Sequence, residues 1–209
     1  MSWICYELCK DQRVQRKLRS EIDAIAPTKN FLDVEDVADC AFLDGVINEA
    51  LRLHPAVLVS HTTSVSIPTH TSQVPSGVQR ETPPEGLTLP NGTYIPGRIL
   101  MWMPPHCIHR DPRYFVDPLV FLPERWTNEQ PEAIIDRRAF FPFSVGPYNC
   151  VGQKLAMLEM RSVTANLISS FLINFADGED GTDIMERSRD NFYITVGKLD
   201  VKLTPRHTE

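Results

Sequence analysis

The N-terminal part of the chain carries its apolar residues at helical spacing. Ser2–Lys10 has one apolar side, and Asp11 is a suitable N-cap for a second helix that ends near Ala26. The apolar residues of that second helix follow one another at intervals of 4, 4 and 3 positions: Val14, Leu18, Ile22 and Ile25. The same periodicity predicts a short helix over residues 34–38 and a longer one over residues 40–53. Because the longer helix is apolar on most sides, we expect it to be buried.

The pattern changes beyond these helices. Residues 57–73 are rich in Ser, Thr, Val and His and have neither helical periodicity nor charge. Residues 76–103 contain short strand-like segments separated by turn sequences such as Asn91-Gly92, which predicts a small antiparallel β-sheet. Residues 104–131 are predicted to form an ordered but irregular loop. One long helix and two strands complete the prediction, over residues 151–171, 192–196 and 201–203. The pattern as a whole predicts a mainly α protein with a small antiparallel β-sheet.

Composition and charge narrow the class of protein. The chain has 209 residues, of which 42% are apolar, and a net charge of −6 from 21 Lys+Arg and 27 Asp+Glu. These values are ordinary for one folded domain. An acidic balance without a block of Lys or Arg argues against a nucleic-acid partner. No apolar run approaches the roughly 18 residues of a membrane span, and the N-terminus does not have the form of a signal peptide. The five cysteines include no Cys-x-x-Cys pair and predict neither a zinc ribbon nor a disulfide framework.

A Glu-x-x-Arg motif, Glu49 to Arg52, lies in the apolar helix. Residues three positions apart share one helix face, but the spacing alone is weak evidence, because Glu186 and Arg189 match it too. In an apolar helix we expect the pair to be buried, and two desolvated charges then need further partners. Arg125 has five donors in a planar fork and could complete a Glu49–Arg52–Arg125 network. The alternative is that Arg125 is simply exposed.

The segment 143–152 has the sequence FSVGPYNCVG and contains Cys150. Gly146 and Gly152 permit backbone conformations and close approaches that a side chain would prevent. Cys150 falls at the start of the predicted long helix, where the helix dipole and free N–H groups favour a thiolate. A thiolate is an anionic ligand suited to haem iron. A buried structural cysteine is one alternative, and a thiol-based metal or interaction module is another, but the latter needs a second set of ligands at metal-binding spacing.

Three motifs, in this order and at these distances, resemble the C-terminal part of a cytochrome P450, a haem-thiolate monooxygenase. They are the Glu-x-x-Arg motif, the segment 121–126 that contains Arg125, and the cysteine segment 143–152. The family pattern Phe-x-x-Gly-x-Arg-x-Cys-x-Gly is matched at four positions: Phe143, Gly146, Cys150 and Gly152. It is not matched at Tyr148, where the family usually has a basic residue that contacts a haem propionate. The run Gly-Pro-Tyr-Asn-Cys resembles a fungal-type variant. The resemblance makes residues 1–209 a partial cytochrome P450 domain and implies the C-terminal half of that fold, truncated before its central helix.

The resemblance also assigns roles to individual residues. It implies haem b, iron protoporphyrin IX, as the cofactor and Cys150 as the axial ligand of its iron, and so as the catalytic residue. Three more cofactor-binding residues belong to the same segment: Phe143, Gly146 and Gly152. Arg80 is a candidate contact to a haem propionate. A structural triad is implied behind the haem, made of Glu49, Arg52 and Arg125.

Two functions follow from the resemblance. The first is a monooxygenase that inserts one O2-derived oxygen atom into a small organic or lipophilic substrate, with electrons from an NADPH-dependent reductase that Lys154 and Arg161 could face. Because enzymes of this family are about twice this length or more, the alternative is a truncated, catalytically incompetent fragment or pseudogene product that retains the haem-ligand segment. The parent enzyme is expected at the endoplasmic reticulum membrane, and this chain, without an anchor, is expected to be soluble and cytoplasmic.

Residues 57–73 interrupt the resemblance, because the family runs almost directly from Ala56 to Val74. The insert has 17 residues, begins with Val (codons GTN) and ends with Gln, for which CAG is one codon. Those bases begin and end a spliceosomal intron, so one hypothesis is an unspliced intron translated in frame. The alternative is a genuine surface insertion, which loop entropy tolerates at small cost. Sequencing of cDNA across codons 56–74 distinguishes them.

Overall fold

The computed structural model describes residues 1–25, 29, 31–55, 78–190 and 194–206. Within these ranges the α-helices are α1 Ser2–Lys10, α2 Gln12–Ile25, α3 Ala41–Leu53, α4 Pro105–Ile108, α5 Gln153–Ser170 and α6 Thr182–Arg187. Short 3-10 helices occur at Pro123–Trp126, Pro131–Ala133, Arg137–Ala139 and Gly146–Tyr148. None of the helices in this part of the chain is long and apolar enough to cross a membrane.

The strands form antiparallel pairs. Their bounds are β1 Val78–Glu81, β2 Leu87–Thr88, β3 Tyr94–Ile95, β4 Leu100–Met103, β5 Phe171–Phe175, β6 Arg189–Asp190, β7 Ile194–Thr195 and β8 Val201–Pro205. The pairs are β1 with β4, β2 with β3, β5 with β8 and β6 with β7. The structure is therefore mainly helical with small antiparallel sheets, which confirms the predicted fold class.

The first helices agree with their hydrophobic pattern, except that Ile25, the last residue of the α2 stripe, is exposed. Helix α1 has the predicted bounds, and the Asp11 carboxylate caps α2 by accepting hydrogen bonds from the backbone N–H groups of Arg13 and Val14 at 2.8 and 3.2 Å. The predicted helix over residues 34–38 is wrong, because this stretch consists of turns. There the Asp36 carboxylate binds the backbone N–H of Asp33 and the Lys29 ammonium, so side-chain bonds replace a helical turn.

The strands agree less well with the prediction. The single sheet expected over residues 76–103 is two separate two-stranded pairs, β1–β4 and β2–β3, and strand β5 was not predicted at all. Helix α5 begins two residues later than expected and ends one residue earlier. Of the strand expected over residues 192–196, only Ile194–Thr195 lies in a described strand, and residues 57–73 fall outside the described part of the chain.

One hydrophobic core holds the elements that carry the candidate site. Helices α1, α2, α3 and α5 and strand β5 contribute to it, with Leu18, Ile47, Ile168 and Ile173 fully buried. Helices α3 and α5 are also joined by a bidentate ion pair, in which the Arg161 guanidinium donates to Asp44 at 2.6 and 2.7 Å. The core thus fixes α3, which carries the Glu-x-x-Arg motif, against α5, which follows Cys150.

Candidate functional site

Glu49, Arg52 and Arg125 meet in the interior. The exposed fractions are 0% for Glu49 and Arg52 and 1% for Arg125. Arg52 donates to the Glu49 carboxylate through Nε and Nη2 at 2.9 and 2.8 Å, and Arg125 donates through Nε at 2.9 Å. The indole N–H of Trp126 and the backbone N–H of Leu122 add bonds at 2.8 and 3.0 Å. Arg125 is therefore buried, and the alternative interpretation, in which it is simply exposed, is wrong.

The rest of both guanidinium groups binds backbone carbonyls of the irregular loop. Arg52 Nη1 donates to the carbonyls of His109 and Pro118 at 2.6 and 2.7 Å. Arg125 Nη1 donates to the carbonyls of Val116 and Ala133 at 2.9 and 3.0 Å. Since one carboxylate faces two cations, these carbonyl dipoles supply the remaining compensation that buried charges need. The ion network therefore also explains why this long loop is ordered.

The cysteine segment, residues 143–152, presents its thiol at the surface. The Cys150 side chain is exposed, and its backbone N–H donates to the Phe143 carbonyl at 2.8 Å. Helix α5 begins only at Gln153, so Cys150 precedes the first turn instead of lying in it. Because the field of a helix terminus falls off within one turn, the helix acts on this thiol less than the sequence suggested.

The two glycines of the segment differ. Gly146 has φ +78°, a conformation that disfavours any other residue, and an added Cβ would meet no atom within 4 Å. Gly152 has φ −82°, and its Cβ would lie 3.8 Å from Cys150 Sγ, an ordinary contact. The backbone conformation therefore favours glycine at position 146 and would accept a side chain at position 152, and the role of both glycines in binding a cofactor stays a prediction.

Cys150 is exposed, and so are three apolar residues near it in the sequence: Val145, Val151 and Leu155. Within the described ranges, no group of three or more His, Cys, Asp or Glu side chains could hold a metal ion. A haem needs no such group, because the porphyrin brings its own nitrogen ligands and a large apolar face. The exposed Cys150 thiol therefore fits the single protein ligand that a haem requires.

Arg80 lies beside this segment. It is in strand β1, and its Nη2 donates to the Ser144 hydroxyl at 3.0 Å. The positive φ of Ser144, 64°, places this residue in the turn that leads to Gly146. The structure therefore brings Arg80 to the cysteine segment, while the side chain of Tyr148 lies outside what is described. Arg161, considered for a reductase contact, forms an ion pair with Asp44.

His109 is a residue of the site to which the sequence pattern gave no role. Its side chain is 0% exposed, and Nε2 accepts a hydrogen bond from the backbone N–H of Phe141 at 3.1 Å. Burial lowers the pKa of His109 to about 3, so the ring is neutral. A histidine in a loop rich in Pro, Asp and Arg gives no signal of burial, because the folded positions of Arg52 and Phe141 create its environment.

Comparison with known proteins identifies a family whose model matches this chain. The model of the family described as Cytochrome P450 matches residues 1–203. The chain is 35% identical over 205 residues to tryprostatin B 6-hydroxylase of Aspergillus fumigatus, covering 98% of this chain and 33% of that protein. It is 37% identical over 204 residues to cytochrome P450 monooxygenase notG' of Aspergillus versicolor, covering 97% and 34%. The chain thus spans about a third of the length of these curated relatives, and their fungal origin confirms the fungal-type resemblance.

Proposed function

The chain belongs to the cytochrome P450 family, and we propose that it is the haem-ligand part of a monooxygenase with Cys150 as the axial ligand of haem b. One observation above all supports this proposal: the thiol of Cys150 is exposed, in a segment whose backbone is held by the hydrogen bond from the Cys150 N–H to the Phe143 carbonyl. The reaction we propose inserts one oxygen atom of O2 into a small organic or lipophilic substrate.

Each residue of the site has a task in this proposal. Cys150 Sγ binds as a thiolate, and the bond from the Cys150 N–H to the Phe143 carbonyl holds its position. Arg80, beside Ser144, offers a positive charge to a haem propionate. The exposed side chains of Val145 and Val151 would offer apolar contacts to a bound porphyrin. When bound, haem supplies the oxygen chemistry, and a thiolate ligand favours cleavage of the O–O bond.

The partners follow from the family. Electrons are proposed to come from an NADPH-dependent reductase, with the parent enzyme at the endoplasmic reticulum membrane. The name of the Aspergillus fumigatus relative describes hydroxylation of an organic compound, which supports the proposed reaction class. The second candidate is a catalytically incompetent fragment or pseudogene product, and it is favoured by the fact that the chain spans about a third of its relatives.

A haem-binding experiment with two cysteine variants tests the proposal. The chain is expressed with hemin, reduced, and exposed to carbon monoxide, and we expect a thiolate-type Soret band. Cys150→Ser should abolish the band, because the hydroxyl is no thiolate ligand. Cys107→Ser is the matched control, since Cys107 is also free and exposed, and it should retain the band. A thiolate band that persists in Cys150→Ser refutes the assignment, and no haem uptake by the unmodified chain favours the fragment.

A further inference from the structure

His109 contacts both the Glu49–Arg52–Arg125 network and the chain that leads to Cys150. Its backbone carbonyl accepts a hydrogen bond from Arg52 Nη1 at 2.6 Å, which attaches it to the ion network. Its ring Nε2 accepts from the Phe141 N–H at 3.1 Å, which attaches it to the chain just before the cysteine segment. The ring also lies against the rings of Phe140 and Phe141, with centroid distances of 5.5 and 5.1 Å. A single buried residue therefore connects the two.

The connection continues toward Cys150 through backbone hydrogen bonds. The Phe141 carbonyl accepts from the Ser144 N–H at 3.0 Å, and the Phe143 carbonyl accepts from the Cys150 N–H at 2.8 Å. Phe141 is thus bonded to Ser144, at the start of the turn, and Phe143, two residues after Phe141, is bonded to Cys150 at its end. Such hydrogen bonds resist displacement, because breaking one leaves its donor to find another partner.

The hydrogen bond to Phe141 also determines where the imidazole proton lies. A neutral imidazole has one N–H and one acceptor nitrogen. Since the Phe141 N–H points at Nε2, that nitrogen must be the acceptor, and the proton must be on Nδ1. Nδ1 itself is buried and has no hydrogen-bond partner in the described part of the chain. The opposite tautomer would leave two N–H groups facing each other.

We infer that His109 is a positioning residue, which holds the cysteine segment on the Glu49–Arg52–Arg125 network through the acceptor Nε2 of an imidazole protonated on Nδ1. The inference rests on the proposed function only in that the positioned residue, Cys150, is the proposed haem ligand. The bond between His109 and Phe141 itself can be tested without haem.

The tautomer can be measured on the unmodified full chain. In 15N NMR spectra of labelled imidazoles, His109 should show a protonated Nδ1 and an unprotonated Nε2, unchanged between about pH 5 and about pH 8. A proton on Nε2, or a ring that titrates in this range, overturns the inference. Because this measurement needs no variant, it does not depend on whether a substituted chain folds.

Two substitutions of similar polarity distinguish the effect of losing the hydrogen-bond acceptor at Nε2 from the effect of disturbing the packing around His109. His109→Gln can place an amide oxygen near the position of Nε2, whereas the shorter side chain in His109→Asn cannot reach Phe141. We expect hydrogen exchange of the Phe141 amide to be about tenfold faster in His109→Asn and within about twofold of the unmodified chain in His109→Gln. His106→Gln is the control, because His106 bonds to Arg110 and not to Phe141.

The reduced carbon monoxide spectrum of the same variants supplies the second readout. His109→Asn should weaken the thiolate-type band, and His109→Gln should retain it. Equal Phe141 exchange in His109→Asn and His109→Gln overturns the positioning role, whether or not haem is bound. Differing exchange in a chain that takes up no haem leaves the positioning role supported and counts against the proposed function alone.

Discussion

The Glu49 carboxylate shows at the scale of one residue why the Glu-x-x-Arg spacing is a weak signal. The spacing predicts the Arg52 contact, but the carboxylate also accepts bonds from Arg125, Trp126 and Leu122, which are more than seventy positions away in the sequence. These partners are brought in by the folded loop, so periodicity could not reveal them. The family resemblance pointed to Arg125, and no pattern pointed to Trp126.

Replacement of Arg52 should therefore be costly. Arg52→Ala removes the bonds to Glu49 and to three loop carbonyls within a region closed to water, and we expect the free energy of unfolding to fall by about 3–5 kcal/mol. Arg189→Ala is the matched control, because Arg189 has the same spacing from Glu186 but is exposed, and it should change stability by less than about 0.5 kcal/mol. Chemical denaturation measures both, and equal losses would contradict the burial argument.

At the scale of elements, the helices with a long amphipathic stripe were predictable, whereas the strands were predicted only in part: the strand expected over residues 201–203 lies within β8, but β5 was missed. Helix α2 follows its apolar stripe because residues on one helix face pack together whatever else the chain does. Strand β5 starts directly after α5, at Phe171, and its partner β8 begins at Val201, so nothing local distinguishes it from a continued helix. Residues 34–38 were too few to form a helix against the competing side-chain bonds of Asp36.

The contact between helix α3 and the 3-10 helix Pro123–Trp126 depends on Gly45. A Cβ added at Gly45 would lie 2.7 Å from the Pro123 carbonyl oxygen, a backbone atom that cannot rotate away. Helix propensity alone would favour Ala over Gly by about 1 kcal/mol. We nevertheless expect Gly45→Ala to lower the free energy of unfolding by about 1–3 kcal/mol, because the helix must move away from the loop that holds Arg125.

A second substitution in the same helix distinguishes the effect of helix propensity from the effect of the contact with Pro123. Asn48 lies one turn further along α3 and is partly exposed, so Asn48→Ala should leave the free energy of unfolding unchanged or raise it by a few tenths of a kcal/mol. Urea unfolding compares the two variants. A Gly45→Ala chain as stable as Asn48→Ala would show that the 3-10 helix can shift at no cost.

Over the whole molecule, charges of both signs are buried. The interior holds the carboxylates Glu7, Glu49 and Glu124 and the cations Arg52 and Arg125, and it adjoins the half-buried Arg110, whose pKa burial lowers to about 10. Nearby histidines stay neutral: burial lowers the pKa of His106 to about 4 and of His109 to about 3. The charges of the arginines act in the same direction, since they oppose a further cation.

This distribution predicts how stability depends on pH. In the unfolded chain His109 titrates near its ordinary pKa of 6.5, whereas in the folded chain it stays neutral down to about pH 3. As the pH falls below 6.5, the unfolded chain gains a proton that the folded chain does not, so the free energy of unfolding must decrease.

His109→Gln removes this titration and keeps a hydrogen-bond acceptor for Phe141. Between about pH 6 and about pH 5, the unmodified chain should therefore lose about 1 kcal/mol more than the variant in urea unfolding. The carboxylates and other histidines are common to both chains and cancel in the difference. Parallel stability curves would show that His109 is protonated in the fold, and with it that Nε2 cannot be the acceptor for Phe141.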